Sequence, residues 1–311
     1  MTRKVISYKD GHVYEFAPNM EPIYTAKDGE SITFETIDSL NKAVQSDSDL
    51  MDAIPEEVNA ATGPVAVEGA TPGDVLKVEI EDVRLNEEQG RVITAPEFGL
   101  LQDHEDIEHP ATRVTEITKD SESLLFKDLD VPINPIIGTI GVATSEETIT
   151  TLIPHNHGGN LDTTDMTTGT IAYFPVFQEG AMLAMGDSKA AMADGEMCGT
   201  GAEIGTDIDV TVSVIKDAAV DLERPLVDTV MRGKRLLVPK QWKMLSKWQT
   251  RISLSYSLSN MITRLLTHIF FQALLVVWKL AKSSTHLLPL VTQSQANISR
   301  IHSELGICSP A

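Results

Sequence analysis

Asp187 and Lys189 stand two residues apart, just beyond the apolar run AMLAM (Ala181–Met185), in the most chemically dense stretch of this chain. That stretch runs from Pro154 to Glu203. It gathers His155, His157, Asp162, Asp165, Asp187, Asp194, Glu196 and Glu203 among glycines at 158, 159, 186, 195, 199 and 201. Carboxylates are almost never fully buried unless they are paired or coordinate something. Acids, imidazoles and glycines together fit a polar pocket in which the backbone turns tightly and oxygen and nitrogen donors converge. Lys189 reads either as a salt-bridge partner of Asp187 or as a catalytic cation. His155 and His157, with Asp162 nearby, suit a mixed nitrogen and oxygen zinc site, or else are surface histidines in a loop. Asp194-Gly195-Glu196 offers a carboxylate as general base or ligand, or forms a solvated turn. Glu203 opens a strand and is placed beside the other acids. Cys198 has no activating pattern and reads as a small half-buried hydrophobe.

The elements that position these groups are mostly strands. Ser31–Ile37, Val75–Val83 and Asp207–Ile215 alternate apolar and polar residues. Thr170–Phe177 and Ala181–Met185 are buried-strand runs separated by a turn at Gln178-Glu179-Gly180, and Pro175 implies an edge or bulge. Gly138–Val142 is a tight strand with glycines where neighbours must approach. The best helix candidate before residue 230 is Ser39–Ala53. The expected class is mainly β (α+β), a β-sandwich plus a small barrel-like part.

The chain has 311 residues, 25 Lys+Arg and 45 Asp+Glu, for a net charge of -20. So acidic a surface argues against a nucleic-acid partner. Two cysteines and an N-terminus without an apolar signal segment point to the cytoplasm. Leu265–Leu280 is too short and too interrupted for a spanning helix, so no membrane partner is expected. The charge changes sign near residue 230. Residues 1–229 carry 14 basic and 44 acidic side chains, while 230–311 carry 11 basic and one acid, Glu304. A basic C-terminal domain is one reading. A tail outside the natural reading frame is the sharper one. Regrouping the codons of Pro239–Trp248 by one frame forces Glu and Ala at the tryptophan codons and permits KAVEDAVKMA, an acidic amphipathic helix. Ser283–Leu290 permits IDPLVTV.

Five blocks resemble the acetamidase/formamidase family: NAATGPVAVEGATPGDVLKVEI (Asn59–Ile80), NPIIGTIGVA (Asn134–Ala143), HGGNLD (His157–Asp162), GTIAYFPVFQEGAMLAMGD (Gly169–Asp187) and ADGEMCGTGAE (Ala193–Glu203). The resemblance covers roughly residues 10–228. It implies an amidase that hydrolyses a small-molecule amide of the formamide or acetamide type to carboxylate and ammonia, a homo-oligomer, and a divalent metal such as zinc. It places His157, Asn160, Asp162, Asp187, Asp194 and Glu196 around the site. His157, Asp162 and Asp194 would hold the metal, which would activate water. Asp187 or Glu196 would move the proton. Gly158, Gly159 and Asn160 would bind substrate, with glycine N–H groups facing the oxyanion. Two departures stand out. Lys189 occupies a position where the family usually has histidine, and Ala193 one where it usually has glycine. The family also ends in an acidic helix and a V-D-P-L type strand, close to what the regrouped codons give. The competing readings are an inactive remnant of such an enzyme and a metal- or small-molecule-binding β module without turnover. The tail reading predicts that the +2 frame of the coding DNA after Thr229 stays open and acidic; an early stop codon there refutes it.

Overall fold

Alternation of apolar and polar residues sets the strands that build the larger sheet. The structure, a computed structural model, describes residues 3–100, 102, 105, 107–118, 122–218 and 222–229, and the backbone of 234–237. Otherwise the expected out-of-frame tail, Leu265–Leu280 included, lies outside the described residues. In chain order the strands are β1 (Lys4–Ser7), β2 (His12–Val13), β3 (Glu15–Phe16), β4 (Tyr24–Ala26), β5 (Ser31–Glu35) and β6 (Ala61–Val67). Then come β7 (Val75–Leu85), β8 (Gln89–Thr94), β9 (Ala111–Ile117), β10 (Ser123–Phe126), β11 (Leu129–Pro132) and β12 (Ile136–Gly141). The last are β13 (Ile149–Thr150), β14 (Gly158–Asn160), β15 (Ile171–Pro175), β16 (Leu183–Lys189), β17 (Thr206–Ile215), β18 (Leu226–Thr229) and β19 (Lys234–Leu237).

A seven-stranded sheet has the order β1-β5-β17-β7-β15-β18-β19. A six-stranded sheet has the order β14-β12-β16-β6-β2, with β4 added parallel to β6. One apolar core joins the two. Ile32, Phe34, Leu76, Val78, Ile80, Phe174 and Val210 come from the larger sheet, and Val65, Val67, Ile137, Ile140, Leu183 and Met185 from the smaller. Side chains that alternate across a strand let each sheet give one face to this shared layer, which is the sandwich expected from the sequence. The smaller part is a four-stranded antiparallel sheet, β11-β10-β9-β8, with its own core around Leu124, Ala190, Ala202 and Ile204. β3 and β13 form a separate two-stranded pair.

β6, β12 and β16 are buried at every residue. The six-stranded sheet is therefore covered on both faces. Its second face is the one that carries polar side chains. Pro175 is the last residue of β15, where a missing N–H interrupts no further pairing.

Ser39–Ala53 does not form the expected helix; it is a run of turns, and no helix occurs among the described residues. Short acidic side chains take the backbone donors that a helix would use. The Asp38 carboxylate accepts the N–H of Leu40 at 3.1 Å and of Lys42 at 3.0 Å. Asp49 accepts those of Gln45 and Ser46. Asn41 and Lys42 have positive φ, which breaks a right-handed turn. Accordingly, among the described residues no helix is long and apolar enough to cross a membrane.

Phe174 is wholly buried in the sandwich, and its ring edge also meets the Gly158 backbone region of β14. Truncating it opens a cavity that two packed sheets cannot close. Phe174→Ala is expected to lose about 3–5 kcal/mol, read as a lowered urea midpoint with an unchanged denaturant slope.

Candidate active site

Four chain segments bring a carboxylate to one atom, the Nζ of Lys189. Asp162 Oδ1 and Asp187 Oδ2 each lie 2.8 Å from it. Glu196 Oε1 lies at 3.6 Å and Glu203 Oε1 at 3.8 Å. The Asp187 carbonyl accepts a longer hydrogen bond from the same ammonium, at 3.4 Å. Lys189, Asp187 and Glu203 are at most 2% exposed, whereas Asp162 and Glu196 keep 14% and 13% of their side chains open. The cluster thus opens to its surroundings on the side of Asp162 and Glu196.

The backbone is shaped for this convergence. β16 pairs with β12 through Gly186↔Thr139, Ser188↔Ile137 and Lys189↔Ile136, so Asp187 sits across from Gly138. The carbonyl of Gly138 accepts the N–H groups of Leu161 and Asp162, which fixes the Asp162 turn. Asp162, Asp187 and Glu196 all have positive φ, at 37°, 54° and 35°. Glu203 is held by paired backbone hydrogen bonds with Arg91, and its Oε1 accepts the Gly201 N–H at 2.9 Å. The Thr139 hydroxyl reaches Asn160 Oδ1 at 3.0 Å and Asp187 Oδ2 at 3.2 Å, linking Asn160 to the cluster.

Electrostatics decide who carries protons. Burial alone would lower the Lys189 pKa, but Asp162, Asp187, Glu196 and Glu203 outweigh it and hold the ammonium charged. Burial raises Asp187 to about 6 against the opposing pull of Lys189. Burial, with Asp162 adding repulsion, raises Glu196 well above the usual carboxylate range. Glu203 is raised in the same direction, chiefly by burial, against Lys189. One ammonium cannot fully compensate four ionised carboxylates in a dry site, and burial pushes the two glutamates toward their protonated forms.

Other expected site residues lie elsewhere. Asp194 is exposed on its turn and accepts the Thr164 hydroxyl at 2.7 Å, outside the cluster. His157 is buried against Phe16, with ring centroids 4.8 Å apart, and neither ring nitrogen has a hydrogen-bond partner. Burial and neighbouring His155 lower its pKa to about 3, so the ring is neutral. It packs beside Gly141, three residues from Gly138 and so about 10 Å away along a strand. His157, Asp162 and Asp194 are therefore not gathered as a ligand set. Gly158 gives its N–H to the His155 carbonyl at 3.2 Å, so that donor is taken and does not face an oxyanion. Gly159 instead serves close packing, since a Cβ there would strike the Ile153 carbonyl. Among the described residues no three His, Cys, Asp or Glu side chains could hold a metal ion. The physical reason is the ammonium, which fills the point where the carboxylates converge. A zinc ion needs donors at about 2.0–2.2 Å, and a second positive charge beside Nζ would be repelled. The residues present do not fit a divalent metal while Lys189 stands there.

Sequence reading missed Thr139, whose only signal was its place on a glycine-flanked strand. Gly138 is the tightest constraint. A Cβ there would meet Asp187 and, at 2.6 Å, Lys189 Nζ. Gly138→Ala should lose roughly 1–3 kcal/mol by overpacking, measured as a lower urea midpoint; an unchanged midpoint would mean that the cluster has room to yield.

Comparison with known proteins agrees with this arrangement of sheets. The acetamidase/formamidase family pattern matches residues 2–153 and 145–246, continuing past the charge break. A formamidase from Methylophilus methylotrophus is 26% identical over 266 residues, covering 67% of this chain and 65% of that protein. The chain thus spans less than two thirds of that relative's length. The crystal structure of a predicted acetamidase/formamidase from Thermoanaerobacter tengcongensis has a TM-score of 0.68 and 37% identity, covering 73% of this chain and 74% of the other. An acetamidase from Bacillus halodurans has a TM-score of 0.68 and 35% identity, covering 72% and 74%. With most of its length matched by the family pattern and its fold shared with these structures, the chain belongs to the acetamidase/formamidase family.

Proposed function

We propose that this chain hydrolyses short-chain amides of the formamide or acetamide type to carboxylate and ammonia. Family membership supports the reaction class, and relatives named formamidase and acetamidase support the substrate class. The observation that carries the reading is the buried Lys189 ammonium with Asp187 and Glu196 beside it.

Amide hydrolysis has two demands. Water must lose a proton as it attacks a weakly electrophilic carbonyl, and the amine must gain one as it leaves. Glu196 keeps 13% of its side chain open, while its Oε1 is buried 3.6 Å from Lys189 Nζ and has no hydrogen-bond partner. Burial raises its pKa well above the usual carboxylate range, which favours the protonated form and suits it to hand a proton to a departing amine. Asp187 shares the nearest position to the ammonium with Asp162, both at 2.8 Å, and its pKa, raised to about 6, suits it to take the proton of water. Lys189 supplies fixed positive charge where the tetrahedral oxyanion develops, in a site with little water to weaken it. Asn160, tied through Thr139 to Asp187, orients the amide at the rim.

Removing the acidic proton while keeping shape separates these roles from packing. Asp187→Asn and Glu196→Gln are each expected to reduce kcat/KM for formamide by roughly 10²- to 10⁴-fold, followed as ammonia release with far-ultraviolet circular dichroism as the check on folding. Wild-type ammonia release by both variants would remove the cluster from the reaction. Absence of release by the wild-type chain from formamide and acetamide would overturn the substrate reading.

A further inference from the structure

We propose that the ammonium of Lys189 is the resident cation of this centre and stands in the place a divalent metal would take. The first ground is convergence. Asp162 lies between β14 and β15, Asp187 is in β16, Glu196 is in the turn after it and Glu203 precedes β17. These carboxylates come from four separate positions between residues 162 and 203, and all direct an oxygen to within 3.8 Å of one nitrogen. Such a constellation is what a cation site requires, and the cation here is covalently attached.

The second ground is independent of charge. The path of the lysine side chain is kept open by missing side chains on two other segments. A Cβ on Gly201 would come within 2.7 Å of Lys189 Cγ, and one on Gly138 within 2.6 Å of Nζ. The chain is thus built around an extended lysine, from its stem to its tip. A shorter ligand such as an imidazole would leave the tip position free.

The third ground is exclusion. Lys189 is 2% exposed, and its nitrogen occupies the centre with two oxygens at hydrogen-bond length. Carboxylates already engaged by an ammonium offer a metal neither space nor their full charge. A divalent ion entering would have to expel a buried, paired charge, which leaves that charge uncompensated.

The test counts metal on the full chain and does not depend on turnover, so it can fail or succeed apart from the amide reading. Chelator-treated wild-type protein is incubated with zinc chloride, passed through a desalting column and analysed by plasma mass spectrometry. Wild type is expected to retain well under one zinc per chain, and Lys189→His, with Nζ removed, to retain one. Stoichiometric zinc on the wild-type chain overturns the proposal. So does a folded Lys189→His variant that retains none, because the emptied centre would then not be a cation site. Should Lys189→His fail to fold, the wild-type count decides alone.

Discussion

A buried ammonium surrounded by carboxylates is the constraint on which the rest of this site depends. Taking such charges out of water is costly, and only close pairing makes it tolerable. Lys189 meets that condition with two oxygens at 2.8 Å and two more within 3.8 Å. The attraction also explains the local backbone. Asp162, Asp187 and Glu196 each adopt a left-handed φ, which is unfavourable by roughly 1–2 kcal/mol for a residue with a Cβ. Each of these residues, one of them inside β16, brings its carboxylate to the same nitrogen. Remove the cation, and three strained positions lose a shared electrostatic partner.

Convergence of this kind needs a platform that does not yield. β12 and β16 supply it because they are buried on both faces, packed into the sandwich core on one side and under the loops of the site on the other. Ile137 and Ile140 of β12 point into the same apolar layer as Phe174, while Gly138 and Thr139 serve the polar side. One strand thus couples core packing to the position of a reacting group. A shift at Gly138 would be felt at once by the Asp162 turn, through the two N–H groups that share its carbonyl.

Much of the frame was legible in the sequence, because alternation is a local signal. The strands expected at Ser31, Val75 and Asp207 are β5, β7 and β17, and the turn at Gln178–Gly180 closes with a hydrogen bond from Ala181 to Gln178. The crowding of acids around Asp187 also marked the stretch whose carboxylates gather on Lys189. Local signals failed where a side chain competes with the backbone. Asp38, just before Ser39–Ala53, and Asp49 within it accept the backbone N–H groups that close its turns. They failed again in choosing members of the site. Asp194 and Glu196 are two residues apart, yet only Glu196 reaches Lys189, because Gly195 and Glu196 both adopt positive φ and turn the chain between them. His157 is adjacent in sequence to the glycines of β14 but goes to Phe16. The Gly158 N–H is spent on its own loop. No spacing rule reveals such choices; they depend on contacts between segments many residues apart.

The identity of the central cation also sets the proton inventory of the site. A divalent metal binds carboxylates in their deprotonated form and releases their protons on binding. An ammonium carries a single charge and cannot neutralise four acids, so part of the cluster stays protonated. Burial favours the protonated forms of Glu196 and Glu203, and raises Asp187, beside Nζ, to about 6. The reaction proposed above assigns the donor role to Glu196 and the acceptor role to Asp187. Those are the two groups an amide needs as water attacks and the amine departs. In a metal-centred site the cation would activate water and leave the acids stripped. In the reaction proposed here, with Lys189 at the centre, the carboxylates would keep both proton-transfer roles, and the single positive charge would be left to stabilise the oxyanion.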